Sequence, residues 1–191
     1  MKKKRKKKNQ IGKILLLFIL IGTVFTLFYL FREEIVRFLK PWLAKWEVIE
    51  EKKEVILYFS DPESQYLVGE KRKILKKNNL REEGKETINE LIKGPRGKLI
   101  PTLPSQTELL TLQVNGEKVR VNFNSALTKN HPGGSSAELM TVYSIVNTLT
   151  LNFPQIKRVQ ILIDGKPIET IAGHLSLREP LSPKPDLIKR Q

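Results

Sequence analysis

Few residues in this chain carry side chains suited to covalent or metal chemistry. There is no cysteine, and there are two histidines, His131 and His174, which excludes thiol nucleophiles, disulfide frameworks and histidine-rich metal sites. No metal site and no cofactor is expected. Ser135, His174 and one of several carboxylates can be drawn as a Ser-His-acid triad, but the strained turn pattern that presents a nucleophilic serine is missing. Glu63, Glu70 and Glu138 are the carboxylates to consider for glycan cleavage, and no spacing singles out a pair. Gly133-Gly134-Ser135-Ser136 precedes a helical stretch and offers free amides to an anion. The same residues serve as an ordinary helix cap. The expectation is a non-enzymatic protein with no catalytic residue to name.

The helical stretch itself is more informative. From Leu139 to Ile156 there is no charged residue, in a chain that is 28% charged. Thr141, Ser144, Asn147, Thr148, Thr150 and Asn152 interrupt the apolar run, with polar positions returning every three to four residues opposite Met140, Tyr143, Val146 and Leu149 or their neighbours. A surface helix normally carries Lys and Glu there. A face of Ser, Thr and Asn loses little on desolvation, as at the core of a protein interface. Two readings stand: Thr141, Ser144, Asn147 and Thr148 form an interface for self-association or for another protein, or the helix is covered within its own domain.

The elements that must position these residues begin with an anchor. Residues 2–8 are all Lys or Arg, and Ile14 to Phe31 is an uncharged run of Leu, Ile, Phe and Val. At ~1.5 Å per residue the run covers roughly 27 Å, close to the hydrocarbon thickness of a bilayer. It exceeds the apolar core of a cleaved signal, and the exit Phe28-Tyr29-Leu30-Phe31-Arg32 offers no small-residue cleavage site. The basic flank keeps the N-terminus cytoplasmic and places residues 32–191 outside. The expected localisation is a single-pass cell membrane protein with an extracytoplasmic C-terminal domain, in contact with membrane lipids through residues 14–31. The formal net charge of +14 is therefore a topological signal. No nucleic-acid partner is expected, because the basic run has no interleaved aromatics and no recognition motif behind it.

Five segments follow from this reading: a basic cytoplasmic tail (1–13), a transmembrane helix (14–31), a juxtamembrane spacer (32–53), an α+β domain (54–179) and a loose C-terminal tail (180–191). The spacer carries Ile35, Val36, Leu39, Trp42, Leu43 and Trp46 at helical spacing, broken by Pro41. Trp42 and Trp46 suit the membrane interface or the domain surface equally. In the domain, residues 55–59 form a central strand and 66–74 a more polar return strand. A helix is expected over 81–93, stopped by Gly94-Pro95. Residues 109–114 and 119–123 form a hairpin around Asn115-Gly116. A second helix runs to about Asn152, opened by a capping box of Ser135 and Glu138. Residues 157–163 and 167–171 form a third hairpin around Asp164-Gly165. Three hairpins and two helices predict an α+β fold, a sheet with helices packed on one face.

The order of motifs in this domain resembles a known family. Leu91-Ile92-Lys93-Gly94-Pro95, Leu99-Ile100-Pro101, the Asn-Gly hairpin and Val119-Arg120-Val121-Asn122-Phe123 are similar to the germination-protein domain called GerMN, or Germane. Its most specific part is the stretch from Ser136 to Leu149, and Phe153-Pro154, Asp164-Gly165 and Ala172-Gly173-His174 follow in family order. The resemblance covers roughly residues 52–181. It implies an extracytoplasmic α+β module of sporulation, germination and other envelope proteins, similar to ring-building folds of secretion channels. It supplies no catalytic residues. A role in cell-wall processing, with peptidoglycan as a bound or processed partner, is the alternative it leaves open. This chain departs from the tandem lipoprotein arrangement, with one copy and a transmembrane helix in place of a lipidated cysteine.

Overall fold

The computed structural model describes the backbone of residues 2–44 and 51–189, and the side chains of 12–40 and 51–189. The chain divides into two units, Met1–Ile49 and Glu50–Gln191.

The first unit is helical. Helix α1 (Lys2–Leu30) contains Gly12–Leu30, a segment long and apolar enough to cross a membrane by length and composition, with none of it covered by protein. Helix α2 (Arg32–Ala44) follows after a turn at Phe31. The break expected at Pro41 does not occur. The helix continues across it, although a proline there removes the bond to the carbonyl four residues earlier and crowds that carbonyl with its ring. The expected positions of Trp46 and of the Trp42 side chain lie outside the described residues.

In the second unit, β1 (Lys52–Ser60) and β2 (Leu67–Leu75) form an antiparallel hairpin, paired from Lys52↔Leu75 to Ser60↔Leu67. Helix α3 (Leu80–Ile92) starts at Asn79, whose side chain accepts from the Glu82 amide at 2.8 Å, and stops at Gly94 with φ +81°. Strands β3 (Leu109–Asn115) and β4 (Lys118–Phe123) form the second hairpin. Of its expected left-handed residues only Gly116 takes a positive φ, +59°. A short unforeseen helix, α4 (Ala126–Lys129), leads to α5 (Ser135–Asn152). Strand β5 (Arg158–Ile163) returns parallel to β4, and the turn Asp164-Gly165, positive in φ at both residues, pairs it with β6 (Lys166–Pro167). β6 is two residues long, not five: its pairing with β5 ends at Leu162↔Pro167, and further along that edge Val159 bridges to Leu181 of the C-terminal segment. The fold is α+β with three hairpins and two long helices. Its strands divide into a two-stranded sheet, β1-β2, and a four-stranded sheet, β3-β4-β5-β6.

The core explains this arrangement. Val119, Val121 and Phe123 alternate inward from β4, and Val159 and Ile161 from β5, against Val142, Ile145, Val146 and Leu149 of α5. Val55, Leu57 and Phe59 of β1 meet Ile88 and Leu91 of α3 in the same cluster. Eleven of the eighteen residues of α5 are buried, more than one stripe of a surface helix supplies. The helix is central. Arg72, 3% exposed, ties the end of α3 to β2: its guanidinium donates to Glu70, to Glu90 and to the Gly94 carbonyl. A buried guanidinium requires this set of acceptors.

The C-terminal segment is not loose, as composition suggests, but docked. Leu181 bridges to Val159, Ile188 bridges to Leu67, and a 3-10 turn (Pro185–Leu187) lies between them. The unpaired edge of β1 is closed by α5. The Asn152 amide accepts from the Ile56 N–H at 2.8 Å and donates to its carbonyl at 2.6 Å, and Thr148 Oγ1 accepts from the Tyr58 N–H at 3.2 Å. Thr148→Val keeps the shape and leaves the Tyr58 amide without an acceptor. A loss of about 1–3 kcal/mol is expected, read by urea unfolding of residues 50–191, with faster hydrogen exchange at Tyr58.

Candidate functional site

The polar face of α5 is where the sequence concentrates its signal, so its geometry decides what the domain can do. Thr141, Ser144, Asn147 and Thr148 are 2%, 0%, 0% and 0% exposed. Thr141 Oγ1 donates to the Thr102 carbonyl, and Ser144 Oγ donates to the Thr141 carbonyl. Asn147 donates to the Lys184 carbonyl at 3.1 Å and accepts from the Lys184 N–H at 2.8 Å, which fastens the C-terminal segment. Thr148 holds β1, as above. These four side chains do not present a surface to another chain; of the two readings, they follow cover within the domain. Ser, Thr and Asn are there because backbone groups of neighbouring segments need partners when buried.

Glu138 is the one charged residue in the body of this helix, and it is 0% exposed. It does not form the expected capping box with Ser135. The helix is capped at Gly134 (φ +83°) without a side-chain bond. The carboxylate instead receives a loop. Oε1 accepts from the amides of Ile171 at 2.8 Å and Ala172 at 2.9 Å, and Oε2 from those of His174 at 2.7 Å and Leu175 at 3.3 Å. Burial pushes its pKa up, but the amides of Ala172, His174 and Ile171 and the His174 ring outweigh that and hold it below the usual carboxylate value. His174 Nδ1 lies 3.2 Å from Oε2 with its side chain half exposed. Two members of the triad drawn on paper thus meet. Ser135 does not join them, and no serine or threonine hydroxyl bonds to His174 among the described residues.

A second histidine closes the other side of the helix start. His131 Nδ1 accepts from the Gly133 N–H at 3.0 Å, which fixes that nitrogen as unprotonated, and Nε2 lies 3.1 Å from Thr141 Oγ1. Because Thr141 donates its own hydrogen to Thr102, Nε2 is the donor in that contact. Burial lowers the His131 pKa, against smaller opposing effects from the Ala137 backbone and the Glu138 charge.

Beside this network is a cavity of about 270 Å³, lined by Ser60, Ile100, Thr102, Asn130, Met140, Thr141 and others, none of them charged. Thr102 Oγ1 and Thr107 Oγ1 are the buried side-chain atoms without a hydrogen-bond partner among the described residues. No group of three His, Cys, Asp or Glu suited to a metal occurs among those residues. Glu70, one of the carboxylates weighed for glycan cleavage, is committed to Arg72 and the Arg96 amide. Sequence reasoning missed the anchoring role of Glu138 and the burial of Arg72. Each left a trace: Glu138 is the last charge before an uncharged helix, and Arg72 shares the inward strand face with Ile74.

The pattern of the Germane family, described as sporulation and spore germination, matches residues 56–169. Among solved structures the chain is similar to the tandem GerMN domains of the sporulation protein GerM from Bacillus subtilis, at 22% identity and a TM-score of 0.57. That match covers 75% of this chain and 49% of the other, so this chain spans about half of the tandem protein. The first GerMN domain of the same protein matches at 19% identity and a TM-score of 0.53, over 72% of this chain and 98% of the other. A candidate lipoprotein from Clostridium perfringens matches at 26% identity and a TM-score of 0.51, over 74% and 95%. No curated protein matches.

Two pH windows follow from the half-buried His131 and the buried Glu138. His131 is favoured neutral in the fold, so its contribution is complete above about pH 6.5 and is lost as pH falls through its lowered folded value. Glu138 is favoured charged, so its contribution is complete above about pH 4.3 and is lost below that. Glu138→Gln sets an NH2 group against amide donors; a loss on the order of 3 kcal/mol at neutral pH is expected. Urea unfolding of residues 50–191 across pH should show a flattened acid limb for Glu138→Gln. His131→Gln should remove the slope just below pH 6.5 and leave the lower limb in place.

Proposed function

This chain belongs to the Germane family, and from that premise we propose a membrane-anchored, extracytoplasmic module of the bacterial envelope that acts by binding and not by catalysis. The observation that carries this reading is the N-terminal unit. Seven consecutive basic residues precede Gly12–Leu30, an apolar helix with no protein cover. Lys and Arg beside a span stay in the cytoplasm, so the domain faces outward. The bulky exit at Phe28–Arg32 supports retention of the helix, and the likeness to a candidate lipoprotein accords with an envelope location. The polar groups at the centre of the domain are engaged with its own backbone, which favours binding through outer surfaces, to a second copy or to another envelope protein. A second reading, peptidoglycan binding, draws on the uncharged cavity beside Thr102 and Asn130, whose mix of apolar walls and hydroxyl or amide groups suits a neutral ligand.

The absence of native cysteine makes sidedness measurable. A membrane-impermeant maleimide should label Lys129→Cys in intact cells, and should label Asn9→Cys only after permeabilisation. Labelling of Asn9→Cys in intact cells overturns the orientation. Co-sedimentation of residues 50–191 with purified sacculi would move the choice to the second reading.

A further inference from the structure

Helix α2 has two unlike faces. At about 100° per residue, Ile35, Val36, Phe38 and Leu39 share an arc of roughly 160°, which Arg32 enters at the first position of the helix, while Glu33, Glu34, Arg37 and Lys40 occupy the opposite side. Val36, Phe38 and Leu39 are 56%, 77% and 43% exposed. Both tryptophans of the chain, Trp42 and Trp46, fall in the sequence that follows. The helix starts two residues after the apolar segment ends at Leu30, where the Arg32 guanidinium sits 5.7 Å from the centre of the Tyr29 ring. Tyrosine and arginine together belong at headgroup level.

We propose that α2 is an interfacial helix that lies on the outer leaflet, with Ile35, Val36, Phe38 and Leu39 immersed at the boundary between headgroups and acyl chains. This rests on the reading of the preceding helix as a retained membrane anchor. Three observations favour a glycerophospholipid surface over a second copy. By connectivity, the nearest apolar phase to α2 is the membrane that its predecessor leaves. The apolar arc is wider than the two-residue seam of a paired helix. The far face is fully charged, as the water-facing side of an interfacial helix is. Helical structure is interrupted at Phe31 alone, which still donates to the Leu27 carbonyl and accepts from the Ile35 N–H.

Distance makes the two geometries separable. If α2 continued along the membrane normal, Trp42 would stand about 16 Å beyond Phe31, past a headgroup layer of roughly 5–8 Å. The full chain is reconstituted into phosphatidylcholine–phosphatidylglycerol vesicles, with acyl chains either plain or brominated near the headgroup, and its flotation and tryptophan emission are measured. An immersed α2 predicts a roughly twofold loss of emission in brominated vesicles and little quenching by aqueous iodide. Phe38→Glu should still float and should exchange bromine quenching for iodide quenching. Flotation with iodide quenching in the parent chain overturns the proposal and leaves the anchor intact. Shielding from both quenchers means that protein covers the tryptophans, which also overturns it. Failure to float overturns the anchor reading and the proposal together.

Discussion

The hydrogen-bonding demand of backbone around one buried helix governs the domain. α5 touches β1, the Thr102 loop, the 171–175 loop and the C-terminal segment, and each brings amide or carbonyl groups out of water. A buried amide without a partner costs more than the bond itself contributes. The helix meets that demand with side chains, because its own backbone is already bonded within the helix. Thr148 and Asn152 act towards β1 as an adjacent strand would, and Asn147 does the same for Lys184. This is why no lysine or glutamate appears on the outward-seeming face. A long charged side chain there would be buried without a counter-charge.

Glu138 tests that rule from the other side. A buried carboxylate is tolerated only where donors converge, and four backbone amides from Ile171, Ala172, His174 and Leu175 do so. The donors are uncharged and fixed by the loop, so the charge is stabilised without a cation. The same contacts give the loop its shape. Arg72 on β2 is the cationic counterpart, where acceptors from Glu70, Glu90 and Gly94 meet one guanidinium. Both buried charges join a segment of irregular chain to a regular element. Each is committed to partners within the domain.

Much of the fold is legible in residue order because its cues are local. Asp164-Gly165 demands left-handed backbone, Gly94-Pro95 stops a helix, and alternation in Val119–Phe123 marks an inward strand face. The candidate site was legible only in part. Absence of charge from Leu139 to Ile156 announces that the helix is desolvated, and it is. What desolvates it depends on contacts 37 to 96 residues away in the chain, such as Asn147 with Lys184 and Asn152 with Ile56. Composition misled at the C-terminus for the same reason: Pro183 and Pro185 look like linker residues, yet the groups that hold them lie on α5, β2 and β5.

The sequence by itself determined the helices, the hairpins, the family pattern and the basic-flanked apolar helix, because periodicity, turn chemistry and run length act over a few residues. Only the tertiary structure decided that the polar face of α5 turns inward, that Glu138 clamps a loop and that the C-terminal segment is docked. The physical reason is that a hydroxyl or amide side chain suits water, a partner protein or a buried backbone group equally well. Its local sequence is the same in all three cases, and only the neighbours that the fold delivers distinguish them.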